Sequence, residues 1–345
     1  MYGRLERPDQ TWIQSGGQNY GAIADERGLI GGGNGYSAIF TTGDYRVSTF
    51  DQLWDALKKA QSGQVIYIEG SAEIDCTTQI YVDHLTLELP AGVTLASNRG
   101  RDGSRGALLF SDALATTPLI KVKGDKVRIS GLRLRGPDPE RRMDHHRRSF
   151  AEGRGSSYYY KFPISQGVYT NHSDLEVDNC ELAGWSSAAI LIGGGTNQKV
   201  HHNYIHHNQY NGLGYGICLD QAEVVIERNL FNFNRHSIAG TGRPGTSYEA
   251  AHNVEMGESL SYCFDMHGGK DRKDGTDIAG TWIKIHHNTF WPKDKHVIGI
   301  YGAPEQGCRI YENWFPNHKD PKTEGSRPAV VHGKNTFIEN NKYGR

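Results

Sequence analysis

One short phrase recurs through the second half of the sequence and ends each time on an asparagine. Seven copies end at Asn179, Asn203, Asn229, Asn253, Asn288, Asn313 and Asn340, with separations of 24, 26, 24, 35, 25 and 27 residues. A fixed period in this range indicates stacked structural repeats rather than a conventional globular core. An asparagine suits the turn of each repeat because its amide can bridge to the next copy and it tolerates left-handed backbone angles.

A second apolar segment lies between successive asparagines. These segments are Ala189–Leu191, Gly216–Cys218, Ser237–Ala239, Phe264–Met266 and Ile298–Ile300. Two or three short strands in each repeat of ~25 residues predict an all-β chain that forms one right-handed parallel β-helix. Leucine-rich repeats are the rival at this period, but the regularly spaced leucines are missing. Propeller blades would need ~40 residues or more.

The sequence predicts a single domain over residues 1–345. Residues 1–64 form an N-terminal extension and cap, and residues 65–345 form the rungs. Thr49 to Gln61 is expected to be an amphipathic helix, capped by Thr49 and ended by Ser62-Gly63, that covers the open end of the solenoid. A polar and aromatic excursion is expected near 136–164, beside the substrate groove, and an inserted loop near 268–280.

Charge and composition exclude several classes of partner. The 38 basic and 39 acidic residues balance, so the whole chain offers no argument for nucleic acid or for an anionic membrane surface. No apolar run approaches the ~18–20 residues of a membrane span. We expect a monomer at a secreted or periplasmic location, with the leader absent from the chain. The five cysteines have neither disulfide-framework nor metal-site spacing and are expected to be buried thiols, with their redox state left open.

Histidines cluster beside the repeated asparagines. They are His201, His202, His206, His207, His286 and His287. This pattern resembles a metal box, but it repeats with the rung and lies on a turn, so we predict a structural ladder and no metal site. Calcium stays open as a cofactor, and no other cofactor is predicted. The glycine run Gly31–Gly35 precedes no Lys-Ser/Thr pair, which argues against a nucleotide loop.

The first hundred residues resemble the opening of pectate-lyase-like parallel β-helix proteins. The segments that carry the likeness are Gly31–Tyr36, Thr41–Asp44, the helix after Thr49, Val65–Gly70 and Gly92–Ser97. The resemblance implies an enzyme of the polysaccharide lyase and alginate C5-epimerase superfamily. The Trp-x-Asp-His block and the calcium-binding aspartates of pectate lyases are not evident, and Arg243-Pro244 matches only part of their Arg-x-Pro-x-x-Arg element.

The interval before Asn288 is about ten residues longer than the others, and the surplus follows Tyr262-Cys-Phe-Asp265-Met-His267. This segment is similar to the Tyr-x-x-Asp-Pro-His motif of the alginate C5-epimerases, with Met266 in place of the proline. The resemblance implies that Tyr262, Asp265 and His267 handle the proton at C5 of a uronate. An insertion on one rung is a common way for a repeat scaffold to acquire a site.

Strand alternation predicts which side chains share a face. If Ile217, Ile238, Phe264 and Ile298 are equivalent inward positions, then Asp220, Thr241, His267 and Tyr301 stack along one outer face, beside Cys218, Ala239, Asp265 and Gly299. On the preceding rung, the same alternation predicts that the side chain of Arg235 points outward. Tyr262 has the inward parity of Phe264, so it must sit at a bend in the strand to reach the groove.

Breaking or inverting a uronate at C5 requires a neutralised carboxylate, a base for the C5 proton, and an acid. We assign His267 as the base and Tyr262 as the acid, or the reverse. Asp265 orients His267 or hydrogen-bonds the substrate carboxylate, and Arg235 completes the predicted catalytic group. The predicted substrate-binding residues are Asp220, His236, Arg243, Tyr248, Lys270, Arg272 and Tyr301.

These residues favour a polysaccharide lyase that cleaves an anionic, uronate-containing polysaccharide by β-elimination. Three alternatives stay open. An inverting glycoside hydrolase would pair Asp220 with Asp265, whose side chains would have to converge to ~6.5–9.5 Å. A uronan C5-epimerase would change stereochemistry without cutting the chain. A non-catalytic solenoid would only bind the glycan.

Overall fold

The structure, a computed structural model, describes residues 7–293 and 295–345. Within these residues almost every regular element is a short strand. In chain order the strands are β1 (Trp12–Ser15), β2 (Gln18–Gly21), β3 (Tyr45–Val47), β4 (Val65–Ile68), β5 (Glu73–Asp75), β6 (Leu87–Leu89), β7 (Thr94–Ala96), β8 (Leu108–Phe110), β9 (Ile120–Val122), β10 (Arg128–Ser130), β11 (Arg133–Arg135), β12 (Gln166–Thr170), β13 (Glu176–Asp178), β14 (Glu181–Ala183), β15 (Ala188–Ile192), β16 (Gln198–His201), β17 (Tyr204–His206), β18 (Tyr215–Leu219), β19 (Glu223–Glu227), β20 (Leu230–Asn232), β21 (His236–Gly240), β22 (Ser247–Ala251), β23 (Val254–Glu255), β24 (Phe264–Met266), β25 (Ile283–His286), β26 (Thr289–Phe290), β27 (Ile298–Ile300), β28 (Cys308–Tyr311), β29 (Trp314–Phe315), β30 (Val330–His332), β31 (Thr336–Glu339) and β32 (Lys342–Tyr343).

The helices are few and short. They are α1 (Phe50–Lys59), α2 (Thr77–Asp83), α3 (Met143–Phe150), α4 (Ser156–Tyr159) and α5 (Gly269–Arg272), with one 3-10 turn at Arg101–Gly103. The excursion near 136–164 contains α3 and α4, and the inserted loop near 268–280 contains α5. None of the helices in the described residues is long and apolar enough to cross a bilayer.

Three parallel sheets run the length of the molecule. The first sheet has eleven strands, β3-β4-β7-β10-β13-β16-β19-β22-β25-β28-β31. The second has ten, β5-β8-β11-β14-β17-β20-β23-β26-β29-β32, and the third has nine, β6-β9-β12-β15-β18-β21-β24-β27-β30. Each full rung gives one strand to each sheet, so the predicted right-handed parallel β-helix is confirmed. One continuous core of buried aliphatic and aromatic side chains fills the space between the sheets.

A ladder of asparagines, all buried except the half-buried last one, joins the rungs at the turn between the first and second sheets. It consists of Asn203, Asn229, Asn253, Asn288, Asn313 and Asn341. From Asn229 onward, each side-chain oxygen accepts from both the backbone N–H and the side-chain amide of the preceding asparagine, as Asn253 does from Asn229 at 2.9 and 3.0 Å. The ladder therefore repeats the same hydrogen bonds from rung to rung.

The structure corrects the register of two copies of the repeated phrase. The ladder asparagines do not carry the left-handed backbone; the residue before each of them does, as at His252 with φ of 55°. Asn179 and Asn340 occupy that left-handed position, while Cys180 and Asn341 take the ladder position. The sequence analysis assigns the left-handed backbone and the bridging amide to the same asparagine, whereas the structure places them on two adjacent residues.

Helix α1 is confirmed close to its predicted bounds. The Thr49 side chain accepts from the backbone N–H of Gln52, and the Gln52 side chain accepts from the N–H of Ser48 at 2.8 Å. Leu53, Ala56 and Leu57 form its buried face, beside the terminal strands β3, β4 and β6. Strand β3 pairs in parallel with β4, so the first sheet begins before residue 65, where the rungs were expected to start.

Residues 18–36, here called the strap, run back along the asparagine turns from the last rungs towards the first. Tyr20 donates to Asn340 at 2.8 Å, and the Tyr36 hydroxyl donates to Asp178 at 2.8 Å. Between them, the Asp25 carboxylate lies 3.1 Å from His202 Nε2. The histidines of these turns therefore contact carboxylates on the strap and on neighbouring rungs. His286, for example, lies 3.0 Å from Glu249.

The cysteines are free thiols, as expected from their spacing. Cys76, Cys180, Cys263 and Cys308 are buried, and Cys218 is half-buried on the outer face of the third sheet.

Candidate active site

The predicted alignment of the third sheet is confirmed residue by residue. Ile217 pairs with Ile238, Ile238 with Phe264, and Phe264 with Ile298. The outward column is therefore Cys218, Ala239, Asp265 and Gly299, and the next one along the strands is Asp220, Thr241, His267 and Tyr301. The Thr241 hydroxyl donates to Asp220 at 2.6 Å across one rung step, as this stacking requires.

A bend just before β24 brings Tyr262 to the outer face. The N–H groups of Cys263 and Phe264 both donate to the carbonyl of Val297, at 2.8 and 3.0 Å. Ser237 and Ile238 donate in the same way to the carbonyl of Cys263, and Val297 and Ile298 to that of Ala329, so the bend is common to three rungs and adds no residue to any of them. Cys263 and Phe264 both point inward and are fully buried, so the alternation is shifted before the strand. Tyr262 lies just before β24, at the bend that its parity required.

Asp265 and His267 form a hydrogen-bonded pair at the centre of this face. His267 Nε2 lies 2.9 Å from Asp265 Oδ2, and the side chain of Asp265 is only 2% exposed. The hydrogen bond to Asp265 raises the pKa of His267, against the opposing effect of burial. Because Nε2 faces the carboxylate, the neutral ring carries its proton there and leaves Nδ1 free. His267 Nδ1 lies 3.8 Å from the half-exposed Asp271.

His236 lies directly behind this pair. Its Nδ1 donates to the carbonyl of Tyr262 at 2.7 Å, and its Nε2 lies 4.0 Å from Asp265 Oδ2. Burial lowers the pKa of His236 to about 4, so its ring is neutral near pH 7. The His236 side chain is only 3% exposed and supports Tyr262 from beneath. Its burial corrects the prediction that His236 contacts the substrate.

Aromatic rings stack along the edge where the third sheet begins. Tyr215, His236, Tyr262 and His296 occupy equivalent positions on four successive rungs, with ring centroids 5.8 to 6.5 Å apart and nearly parallel planes. Tyr301 meets Tyr262 edge-to-face, with centroids 5.4 Å apart. Burial and the hydrogen bond with Tyr262 raise the pKa of Tyr301. His296 and Tyr215 were missed from the sequence, although each lies two residues before an aligned isoleucine.

Small residues leave space on either side of Asp265. Ala239 precedes it and Gly299 follows it in the same column. A Cβ atom added to Gly299 would lie 3.0 Å from the Tyr301 ring and 3.2 Å from the Tyr262 ring. A glycine at this position therefore allows both tyrosines to close over the sheet.

The cationic side chains near the site differ in how many hydrogen bonds they donate to backbone carbonyls. Arg235 donates to the carbonyl of Leu213 at 3.3 Å and packs 5.9 Å from the Tyr215 ring centroid. Lys270 is exposed on α5. Arg272 donates to the carbonyls of Thr241 and Ile278, both at 2.9 Å, and its side chain is 11% exposed. Arg272 therefore holds the inserted loop in place, which corrects its assignment as a substrate contact.

Three further predicted contacts lie at different depths. Asp220 accepts from Arg243 at 2.7 Å on the open face, so both side chains are accessible there. Tyr248 is fully buried inside the coil, because the alternation of β22 places it in the inward column with Val224 and Ile283. Its predicted contact with a glycan is therefore wrong.

The excursion approaches the same edge of the third sheet. Tyr159 donates to the carbonyl of Asn211, and the Tyr210 hydroxyl donates to the carbonyl of Tyr159 at 3.2 Å. The site thus lies between the excursion at one edge of the sheet and the inserted loop at the other. In the described part of the chain, no three His, Cys, Asp or Glu side chains converge as metal ligands.

Several solved structures superimpose on this chain. An alginate lyase from Paenibacillus sp. str. FPU-7 superimposes with a TM-score of 0.51 and 12% identity, over 87% of this chain and 97% of that one. The A-module of a mannuronan C-5 epimerase from Azotobacter vinelandii gives a TM-score of 0.44 and 11% identity, over 88% and 100% of the chains. A family 28 exopolygalacturonase from Yersinia enterocolitica gives 0.46 and 11%, over 85% and 67%.

The likeness defines the class of fold to which the chain belongs, a right-handed parallel β-helix. No protein-family model matches the chain, and no curated protein matches it.

Proposed function

We propose that the protein is a polysaccharide lyase that cleaves a uronate-containing polysaccharide by β-elimination. The observation that carries this proposal is the Asp265–His267 pair, at 2.9 Å, on an open sheet face next to Tyr262 and Tyr301. A base with a carboxylate behind it and a phenol beside it provides both proton transfers that the reaction needs. The fold is one on which an alginate lyase is built.

His267 Nδ1 is the proposed base. Its lone pair takes the proton from C5 of the uronate while Nε2–H donates to Asp265, which stabilises the imidazolium that forms. The electron pair of the C5–H bond becomes the C4–C5 double bond, and the bond from C4 to the glycosidic oxygen breaks. Asp265 thus acts as a positioning residue whose charge offsets the new charge on the ring.

Tyr262 is the proposed acid. Its hydroxyl proton passes to the departing glycosidic oxygen, so the released chain end is neutral. Tyr262 is placed for this by the bend at Cys263 and by its contacts with Tyr301 and His296. Arg235 and the exposed Lys270 are the proposed partners of the substrate carboxylate, whose neutralisation lets the carbanion charge delocalise. Proton exchange with solvent restores neutral His267 and protonated Tyr262.

The contacts of the two candidate hydrolase carboxylates favour elimination over hydrolysis. Asp265 accepts from His267, and Asp220 accepts from Thr241 at 2.6 Å and from Arg243 at 2.7 Å. An inverting hydrolase needs one of its two carboxyl groups to donate a proton. Both carboxylates here already accept from hydrogen-bond donors, whereas the histidine–tyrosine pair needs no rearrangement to transfer protons.

A panel of polysaccharides tests the class of reaction. Mannuronan, guluronan, polygalacturonate and glucuronan are each incubated with the protein, and ultraviolet absorbance and reducing ends are measured in parallel. We expect at least one polymer to give both signals, because elimination creates an unsaturated uronate and a new chain end. Reducing ends without absorbance would assign a hydrolase. A change in the sugar stereochemistry measured by proton NMR, without either signal, would assign the epimerase.

The acidic limb of the pH profile reports on His267. Its hydrogen bond to Asp265 raises its pKa above the ordinary value of 6.5, and only the neutral ring can take a proton. We expect kcat/KM to rise with pH through a midpoint above 6.5 and expect Asp265→Asn to move that midpoint to lower pH while lowering the plateau. A midpoint unchanged by Asp265→Asn would show that another group controls this limb.

A further inference from the structure

A second cavity lies on the outer face of the second sheet, away from the His267 site. It has a volume of about 500 Å³, and its floor is made of β8, β11 and β14 together with Glu73 of β5. The strand pairing arranges this floor in two outward columns. One column contains Leu108, Arg133 and Glu181, and the other contains Phe110, Arg135 and Ala183. The cavity therefore extends across several rungs, as the catalytic face does.

Three arginines and only two carboxylates line this cavity. They are Arg105, Arg133 and Arg135 with Glu73 and Glu181, and Arg135 also pairs at 3.0 Å with the exposed Asp112 outside the lining. Arg133 approaches Glu73 only to 3.8 Å, and Arg105 approaches Glu181 only to 3.8 Å. Burial and then the charge of Arg105 lower the pKa of Arg133. The guanidinium groups thus lie close enough to repel one another.

Glu181 is already committed to other partners. Burial alone would raise its pKa, but the hydrogen bond and charge of His206 and the nearby charges of Arg99 and Arg105 hold it at about 2. His206 Nε2 lies 3.5 Å from Glu181 within the wall of the coil. Glu73, by contrast, is 65% exposed and is free to move away from the cavity. Asp112 is likewise exposed, so an incoming anion can replace it beside Arg135.

Apolar groups complete the cavity. Phe110 and Leu108 lie on its floor, and Pro137 and Pro139, where the excursion begins, form part of its wall. The Arg135 guanidinium stacks 4.4 Å from the Phe110 ring centroid. An apolar ring surface beside fork-shaped cations suits a ligand with one face of C–H groups and a carboxylate at its edge. A uronate residue has both features.

We propose that this cavity is a non-catalytic binding site for an acidic sugar residue of a polysaccharide. The carboxylate of the sugar lies between Arg105, Arg133 and Arg135, and its ring packs on Phe110. This assignment rests on the proposed function for the class of glycan, but it concerns a different sheet and a separate set of residues. It would let the protein hold one part of a polymer while another part occupies the catalytic face.

Calorimetric titration of His267→Ala protein with a mannuronate tetrasaccharide, and separately with a galacturonate tetrasaccharide, tests the proposal. Cellotetraose is the neutral control. At least one acidic tetrasaccharide is expected to fill the cavity, and the double variant Arg105→Gln/Arg135→Gln is expected to remove one binding site or raise its Kd at least about tenfold. Both side chains are partly exposed, at 57% and 35%, so the fold tolerates this change. Arg46→Gln, on an arginine that is 60% exposed and paired with Glu69, is the matched control.

A steric variant separates occupation of the cavity from general attraction between charges. Ala183→Phe fills the cavity without removing an arginine and is expected to abolish the same binding site. The number of binding sites distinguishes this proposal from the catalytic one. If the catalytic face also binds the tetrasaccharide, the variants of the cavity lower the number of sites from two to one. If the catalytic face does not bind it, they lower the number from one to none. Unchanged binding in both variants, equal binding of cellotetraose, or no binding of either acidic tetrasaccharide would overturn the proposal.

Discussion

Replacement of His267 by alanine is expected to lower kcat by roughly 100- to 10,000-fold, the range that a positioned general base contributes. The effect should fall on kcat more than on KM, because His267 is assigned to the proton at C5 rather than to substrate binding. His267 is 36% exposed and lies at the end of β24, so its removal leaves the core intact. Initial rates on the best polymer from the panel, followed by ultraviolet absorbance, measure the change.

Two matched variants control for this experiment. His332→Ala removes an exposed histidine two rungs further along the same sheet and should leave kcat within a few-fold of the parent. Asp271→Asn removes a half-exposed carboxylate that lies 3.8 Å from His267 and should change kcat only modestly. If His267→Ala protein keeps its thermal midpoint and turns over within a few-fold of the parent, the base is another residue.

The shared face of Asp265 and His267 could be predicted from the sequence because it depends only on alternation and on the alignment of inward residues. Phe264 and the aliphatic positions on neighbouring rungs must fill one core, and this fixed the register. Alternation could not reveal how Tyr262 reaches that face. The bend at Cys263 adds no residue to the rung, and nothing in the composition of Tyr262-Cys263-Phe264 distinguishes it from regular alternation.

The ends of the asparagine ladder were misassigned because one residue type suits two adjacent positions. Asparagine tolerates the left-handed backbone and can also bridge rungs. In Asn340-Asn341 either asparagine could therefore be the ladder residue. In Asn179-Cys180 the asparagine takes the left-handed position and the cysteine the ladder position, so the residue type indicated the wrong member of the pair. The strap could not be predicted either. Its contacts, such as Tyr20 with Asn340, join residues that are 320 positions apart.

Tyr248 illustrates a different limit. The loop from Arg243 to Glu249 looked polar enough to reach a glycan, yet β22 begins at Ser247 within it. Once a strand starts, its alternation decides which side chains face the core, and Tyr248 takes an inward position. A shift of one residue in the start of a strand reverses the assignment of every residue that follows.

The largest expected loss of stability comes from the middle of the asparagine ladder. Asn253→Ala removes the oxygen that accepts from both the backbone N–H and the side-chain amide of Asn229, at 2.9 and 3.0 Å. It also removes the amide that donates to the carbonyl of Ile226 at 2.8 Å. All of these groups are buried, and an unsatisfied buried polar group costs about 1–3 kcal/mol. We expect the free energy of unfolding to fall by about 3–5 kcal/mol, measured by urea denaturation.

The matched control is Asn171→Ala, which removes an exposed asparagine just after β12 and should change the free energy of unfolding by less than about 0.5 kcal/mol. The loss at Asn253 follows from the ladder's geometry: each asparagine serves two rungs, so one deletion leaves unpaired groups on both sides. If Asn253→Ala were as mild as the control, rung stacking would depend on the strand hydrogen bonds and the apolar core alone. The repetition of asparagine would then reflect the shape of the turn rather than the cohesion of the solenoid.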